Sequence, residues 1–74
     1  MSLRVFGARV FALSPRDVRA INRAAELIEA EADAIRRSSA YPDGTFPEPG
    51  DRIDYEDRMR SVRELLSIVR RLGP

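Results

Sequence analysis

Two apolar seams separated by a stiff connector constrain this chain more than any other feature. In the first, Val18, Ile21, Ala25, Ile28, Ala32 and Ile35 recur at alternating spacings of three and four; in the second, Tyr55, Met59, Val62, Leu66 and Val69 do the same. That alternation is the signature of an amphipathic helix. Between them stands "YPDGTFPEPGD", Tyr41 to Asp51, which holds three of the five prolines and two of the four glycines. Two long helices joined by such a segment can only double back, so the spacing predicts an all-α chain organised as an antiparallel helical hairpin.

The sequence also marks the ends. Ser14 is a good N-cap, Pro15 suits the first helical position and Asp17 stands where a capping-box acid would, so the first helix is expected over 14–39, fading at "RRSSA". The second is expected over 51–72, opening near Asp51 and ending at Leu72 before "GP". Residues 1–13 form an N-terminal segment that reads equally as strand or helix. Leu3, Phe6, Val10 and Leu13 have helical spacing, while Gly7 and the repeated "RVF" suit an extended chain. The whole of 1–74 is read as one small domain.

Size then becomes an argument. A chain of 74 residues buries a marginal core, and small domains compensate with disulfides, metals or association. With no cysteine and no histidine, disulfides and the usual zinc, haem and iron–sulfur ligands are absent from the sequence, and no cofactor is expected. Leu27, Ala20, Ala24 and Ala34 widen the first seam, and Leu65, Ile68 and Leu72 the second, giving each helix an apolar arc of roughly 160°, more than one neighbour needs. The expectation is a homodimer forming a four-helix bundle, with Val18, Ile21, Ile28, Ile35, Met59, Val62, Leu65, Leu66 and Val69 as core and dimer residues. The alternative is a monomer whose N-terminal segment covers the open face.

Charge is balanced in total but sorted by place. All 13 basic residues are arginine, against 12 acids. In the hairpin, Arg4, Arg9, Arg16, Arg19, Arg23, Arg63, Arg70 and Arg71 gather at the end holding both termini, and most acids lie toward the connector. Helix-dipole complementarity accounts for Arg70 and Arg71, but not for Arg16 and Arg19 at the positive start of the first helix. Arg16, Arg19, Arg23, Arg70 and Arg71 are therefore candidate anion-binding residues. A nucleic acid is a possible partner but, at this net charge, not the favoured one. Asp54–Arg58, Glu56–Arg60 and Arg60–Glu64 are expected as supporting pairs within the second helix.

Catalysis has little to stand on. Glu26 with Glu29 and Asp54 with Asp57 are acid pairs of a kind that can hold Mg²⁺ against a phosphate chain. In this pairing the chain resembles the all-helical nucleotide pyrophosphohydrolases of the MazG type, which would imply a Mg²⁺-dependent phosphate hydrolase. The helical wheel turns Glu26 and Asp57 outward, however, whereas ligating carboxylates in bundles project inward. No Gly-x-Ser-x-Gly elbow and no glycine-rich phosphate loop occurs. The chain is expected to be non-enzymatic.

Two readings of the connector, residues 40–50, stay open. Pro42 and Gly44 make a turn, and "FPEPG" is expected to run extended, because Pro47 and Pro49 each push the preceding residue toward β or polyproline geometry. Either Tyr41 and Phe46 fold back over the bundle end, the weightier reading, or Tyr41, Phe46, Pro47 and Pro49 form a loop presented to a protein partner at low entropic cost. The sequence thus points to a small protein-binding, adaptor or inhibitory accessory protein, of a bacterial or phage type. A nucleic-acid-binding protein is the alternative. No apolar run approaches the roughly 20 residues of a membrane span, and a cytoplasmic location is expected.

Overall fold

The computed structural model describes residues 12–73. They form two α-helices, α1 (Pro15–Ser39) and α2 (Pro49–Leu72), packed against each other as a hairpin. The expectations for residues 1–11 of the N-terminal segment fall outside the described residues.

α1 begins where its local chemistry dictates. Ser14, in extended geometry, accepts through its hydroxyl from the Asp17 amide at 3.1 Å, and the Asp17 carboxylate accepts from the Ser14 amide at 3.3 Å. Two otherwise orphaned amides are satisfied reciprocally, with Pro15 just inside the helix where it has no amide to waste.

α2 starts two residues before the expected Asp51. Pro49 occupies its first turn, and Glu48 precedes it in extended geometry (φ −103°, ψ 117°) without a side-chain cap. The pre-proline restriction acts on Glu48 as expected, but Pro49 itself has the φ of a first helical residue and opens the helix. The connector therefore shortens to 40–48, and Pro49 belongs to α2 and not to the loop.

Within the connector, Gly44 takes a positive φ of 91°, and the turn is closed by the Gly44 amide donating to the Tyr41 carbonyl at 2.9 Å. The Asp43 carboxylate accepts from both the amide (3.0 Å) and the hydroxyl (2.7 Å) of Thr45, and the Tyr41 amide donates to the Thr45 carbonyl at 2.7 Å. The loop is ordered by hydrogen bonds as well as by its prolines.

The helix interface is narrow. Among the described residues only Ala25, Ala32 and Val62 are buried, with Ala32 fully enclosed. Val18, Ile21, Ile28, Ile35, Met59, Leu65 and Val69 are half-buried around them. Leu66, expected on the seam, is instead 41% exposed. Tyr55, Met59, Leu65 and Val69 are half-buried around buried Val62, so of the two adjacent leucines Leu65 is the more enclosed. Leu27 (54%) and Ile53 (58%) also face outward. The described chain measures 50 × 20 × 19 Å with a radius of gyration of 16.4 Å, against about 11 Å for a compact domain of this length. A rod of this kind has little interior.

Candidate interaction surfaces

Side-chain contacts between the helices define two faces of the hairpin. One is marked by the ion pair from Arg58 Nε to Glu31 Oε1, at 3.1 Å across 27 residues of sequence. Ile28 and Ile35 flank Glu31 at three residues before and four after; Leu65 and Leu72 lie one and two heptads beyond Arg58. Helical periodicity places all four on the face of that bridge. Asp54 and Ser61, four before and three after Arg58, share that face with them.

The other face carries a shallow cavity of 180 Å³ lined by Glu29, Asp33, Arg36, Tyr55 and Met59. Asp33 holds Arg36 and Arg37 together within α1. The hydrogen bond from Arg36 is the main reason its carboxyl sits below the usual 3.8, with the charges of both arginines adding to it. In the connector, the bonds from Thr45 likewise lower Asp43.

Of the two connector aromatics, only Phe46 folds back. Its ring lies 5.4 Å from that of Tyr55, tilted by 38°, in a favourable aromatic geometry. Tyr41 is 56% exposed and does not cap the bundle end. Pro47 is also exposed.

The ion pairs within α2 differ from those expected. Arg58 spends its guanidinium on Glu31 and on the Asp54 carbonyl, not the Asp54 carboxylate. Glu56 pairs with Arg52 and Arg60 with Asp57. In sequence the i,i+4 rule offers Arg58 a partner in its own helix, and nothing there points to Glu31, 27 residues away.

All five ion pairs among the described residues lie between residues 31 and 60. At the opposite end, none of Arg16, Arg19, Arg23, Arg63, Arg70 and Arg71 meets a carboxylate within salt-bridge distance among the described residues. Asp17 is committed to the Ser14 cap, and Arg71 donates to the Ser67 carbonyl at 3.4 Å. A more open hollow of 290 Å³ lies along α2 there, beside Glu64, Ser67, Ile68 and Arg71.

The acid pairs sit apart from any such concentration of ligands. Glu26, Glu29, Asp54 and Asp57 are all exposed, and the described residues hold no group of three or more carboxylates placed to share a metal ion. No helix among them is long and apolar enough to cross a membrane. No protein-family model, curated protein or solved structure matches the chain.

Proposed function

We propose that this chain is a small non-enzymatic protein-binding or adaptor protein that acts through its helix faces and first binds a second copy of itself, forming a four-helix bundle. The observation that supports this is the mismatch between apolar content and enclosure. Two alanines and a valine are the only buried residues among those described, while Ile28, Ile35, Leu65 and Leu72 share a face that the hairpin alone leaves partly uncovered. Burying such a side chain from full exposure is worth about 1.5–3 kcal/mol, and these four, already half-buried, gain the remaining part when that face is covered. Charge favours a second copy as the cover: two hairpins packed antiparallel set each arginine-rich end against an acidic one. The connector, with Tyr41 and Pro47 exposed, then remains at the bundle's tip as the element presented to a further protein.

Sedimentation equilibrium of the full chain at low and high salt tests this reading. A species of twice the 8.4 kDa chain mass that survives high salt is expected, and Leu65→Glu should return it to monomer. A wild-type monomer under all conditions, with stability indifferent to Leu65→Glu, would sink the proposal, because the face would then need no apolar partner.

A further inference from the structure

We infer that the arginine-rich end of the hairpin, on its cavity face, binds the phosphate backbone of a nucleic-acid duplex without reading its sequence. Three residues define the surface. Arg19 lies two heptads before Asp33, Arg63 four residues after Met59, and Arg70 one heptad beyond Arg63. Asp33 and Met59 both line the cavity, so periodicity carries the three arginines onto that same face, from both helices. Arg16, Arg23 and Arg71 stand further round the same end. Residues 12–25 and 62–73 together carry six arginines against Asp17 and Glu64, a net +4, while 26–61 carry five arginines against ten acids, a net −5.

Several observations give this cluster a direction. Its guanidiniums meet no carboxylate within salt-bridge distance among the described residues: the cap already occupies Asp17, and Glu64 lines the hollow beside Arg71 without pairing with it. Arg16 and Arg19 lie against the positive end of the α1 dipole, so an anion there relieves two repulsions together. Guanidinium forks match phosphate oxygens in two-bond geometry. Arg63 and Arg70 are about 10 Å apart along α2, and backbone phosphates at about 3.4 Å of axial rise per strand fall within that reach.

The composition of the patch selects its partner. Protein interfaces centre on aromatic and apolar anchors, yet the aromatics among the described residues, Tyr41, Phe46 and Tyr55, all lie toward the connector, and among those residues Leu66 alone interrupts the arginines as a large exposed apolar side chain. Among the described residues this end offers no aromatic on which a base could stack, so their chemistry suits a paired duplex better than a single strand. It lies on the face opposite the Glu31–Arg58 bridge, so it does not depend on the proposed bundle.

The test is fluorescence anisotropy of a short labelled DNA duplex titrated with the full chain across salt. With about four phosphates neutralised, affinity should fall roughly 10²-fold between about 50 and 200 mM salt. Arg19→Gln, Arg63→Gln and Arg70→Gln combined should lower the salt slope by about three units, while Arg52→Gln at the other end leaves it unchanged. Circular dichroism confirms that both variants are helical. No binding at low salt overturns the inference, as does a triple variant with the slope of Arg52→Gln. If the triple variant instead loses self-association and the wild type binds no duplex, the arginines serve the acidic end of a second copy and the inference is likewise overturned. A wild-type monomer that binds the duplex would sink the bundle and leave this surface standing.

Discussion

Ala32 is fully enclosed between the helices, and replacing it with leucine tests how close the two backbones lie. The substitution Ala32→Leu adds three carbons where the structure has no exposed surface to receive them. Interaxial distances between packed helices run from about 8 to 10 Å according to the side chains at the contact, and small residues set the lower end. The larger side chain must therefore either force neighbouring rotamers or wedge the helices apart, loosening the Glu31–Arg58 bridge and the Phe46–Tyr55 contact. Overpacking of this kind costs about 1–3 kcal/mol. At roughly 4–8 °C per kcal/mol for a domain of this size, the melting temperature should fall by about 5–20 °C. Ala30→Leu is the control, because Ala30 is exposed on the same helix and leucine is nearly as good a helix former as alanine. Both variants are melted by circular dichroism at matched concentration, since any association makes the midpoint concentration-dependent. Equal melting temperatures for the two would refute the close small-residue contact.

Two further outcomes follow from local chemistry. Ser14→Ala removes the side-chain acceptor of the capping box and should cost about 1 kcal/mol, read as a lower melting temperature; Ser14→Asp should restore most of it. The lowered pKa of Asp33 means that its ionised form is favoured by folding, so its contribution is present above the ordinary 3.8 and is lost as pH falls through the folded value. The stability gap between wild type and Asp33→Asn should therefore be open at about pH 5 and above and close on acidification; a gap constant with pH would contradict the Arg36 and Arg37 contacts.

What could be read without coordinates follows a physical boundary. The start of α1 was legible because Ser14, Pro15 and Asp17 act on each other within one turn. The antiparallel hairpin was legible because two long seams and a turn-forming connector leave no other arrangement. At Pro49 the residues carry two signals, a restriction on Glu48 and a preference of proline for the first helical turn, and in the structure both act, so the helix opens two residues before Asp51. Leu65 and Leu66 are both leucines at adjacent positions, and a strict alternation of three and four selects Leu66. Which of them is the more enclosed is set by how the two helices pack, a property of the pair that neither seam carries alone. Glu31–Arg58 was hidden for the same reason. For the arginine-rich end, sorting by charge is visible in sequence, while the lack of ion pairs there among the described residues depends on side-chain placement: the cap takes Asp17, and Glu64 pairs with no arginine.

At the open end of the hairpin, the Leu13 amide donates to the Leu72 carbonyl at 2.6 Å. This bond ties the residue before the α1 cap to the last residue of α2, so the two tips fray as one unit. Melting the final turn of α2 frees Leu13, and loss of the Ser14 cap in turn releases Leu72. Hydrogen exchange should then show the Leu13 amide and the last α2 amides opening with a common free energy, below that of residues near Ala32 and Val62. Like-charged Arg16, Arg19, Arg70 and Arg71 bias that opening, so added salt should slow exchange at this end of the molecule and leave the connector end unchanged.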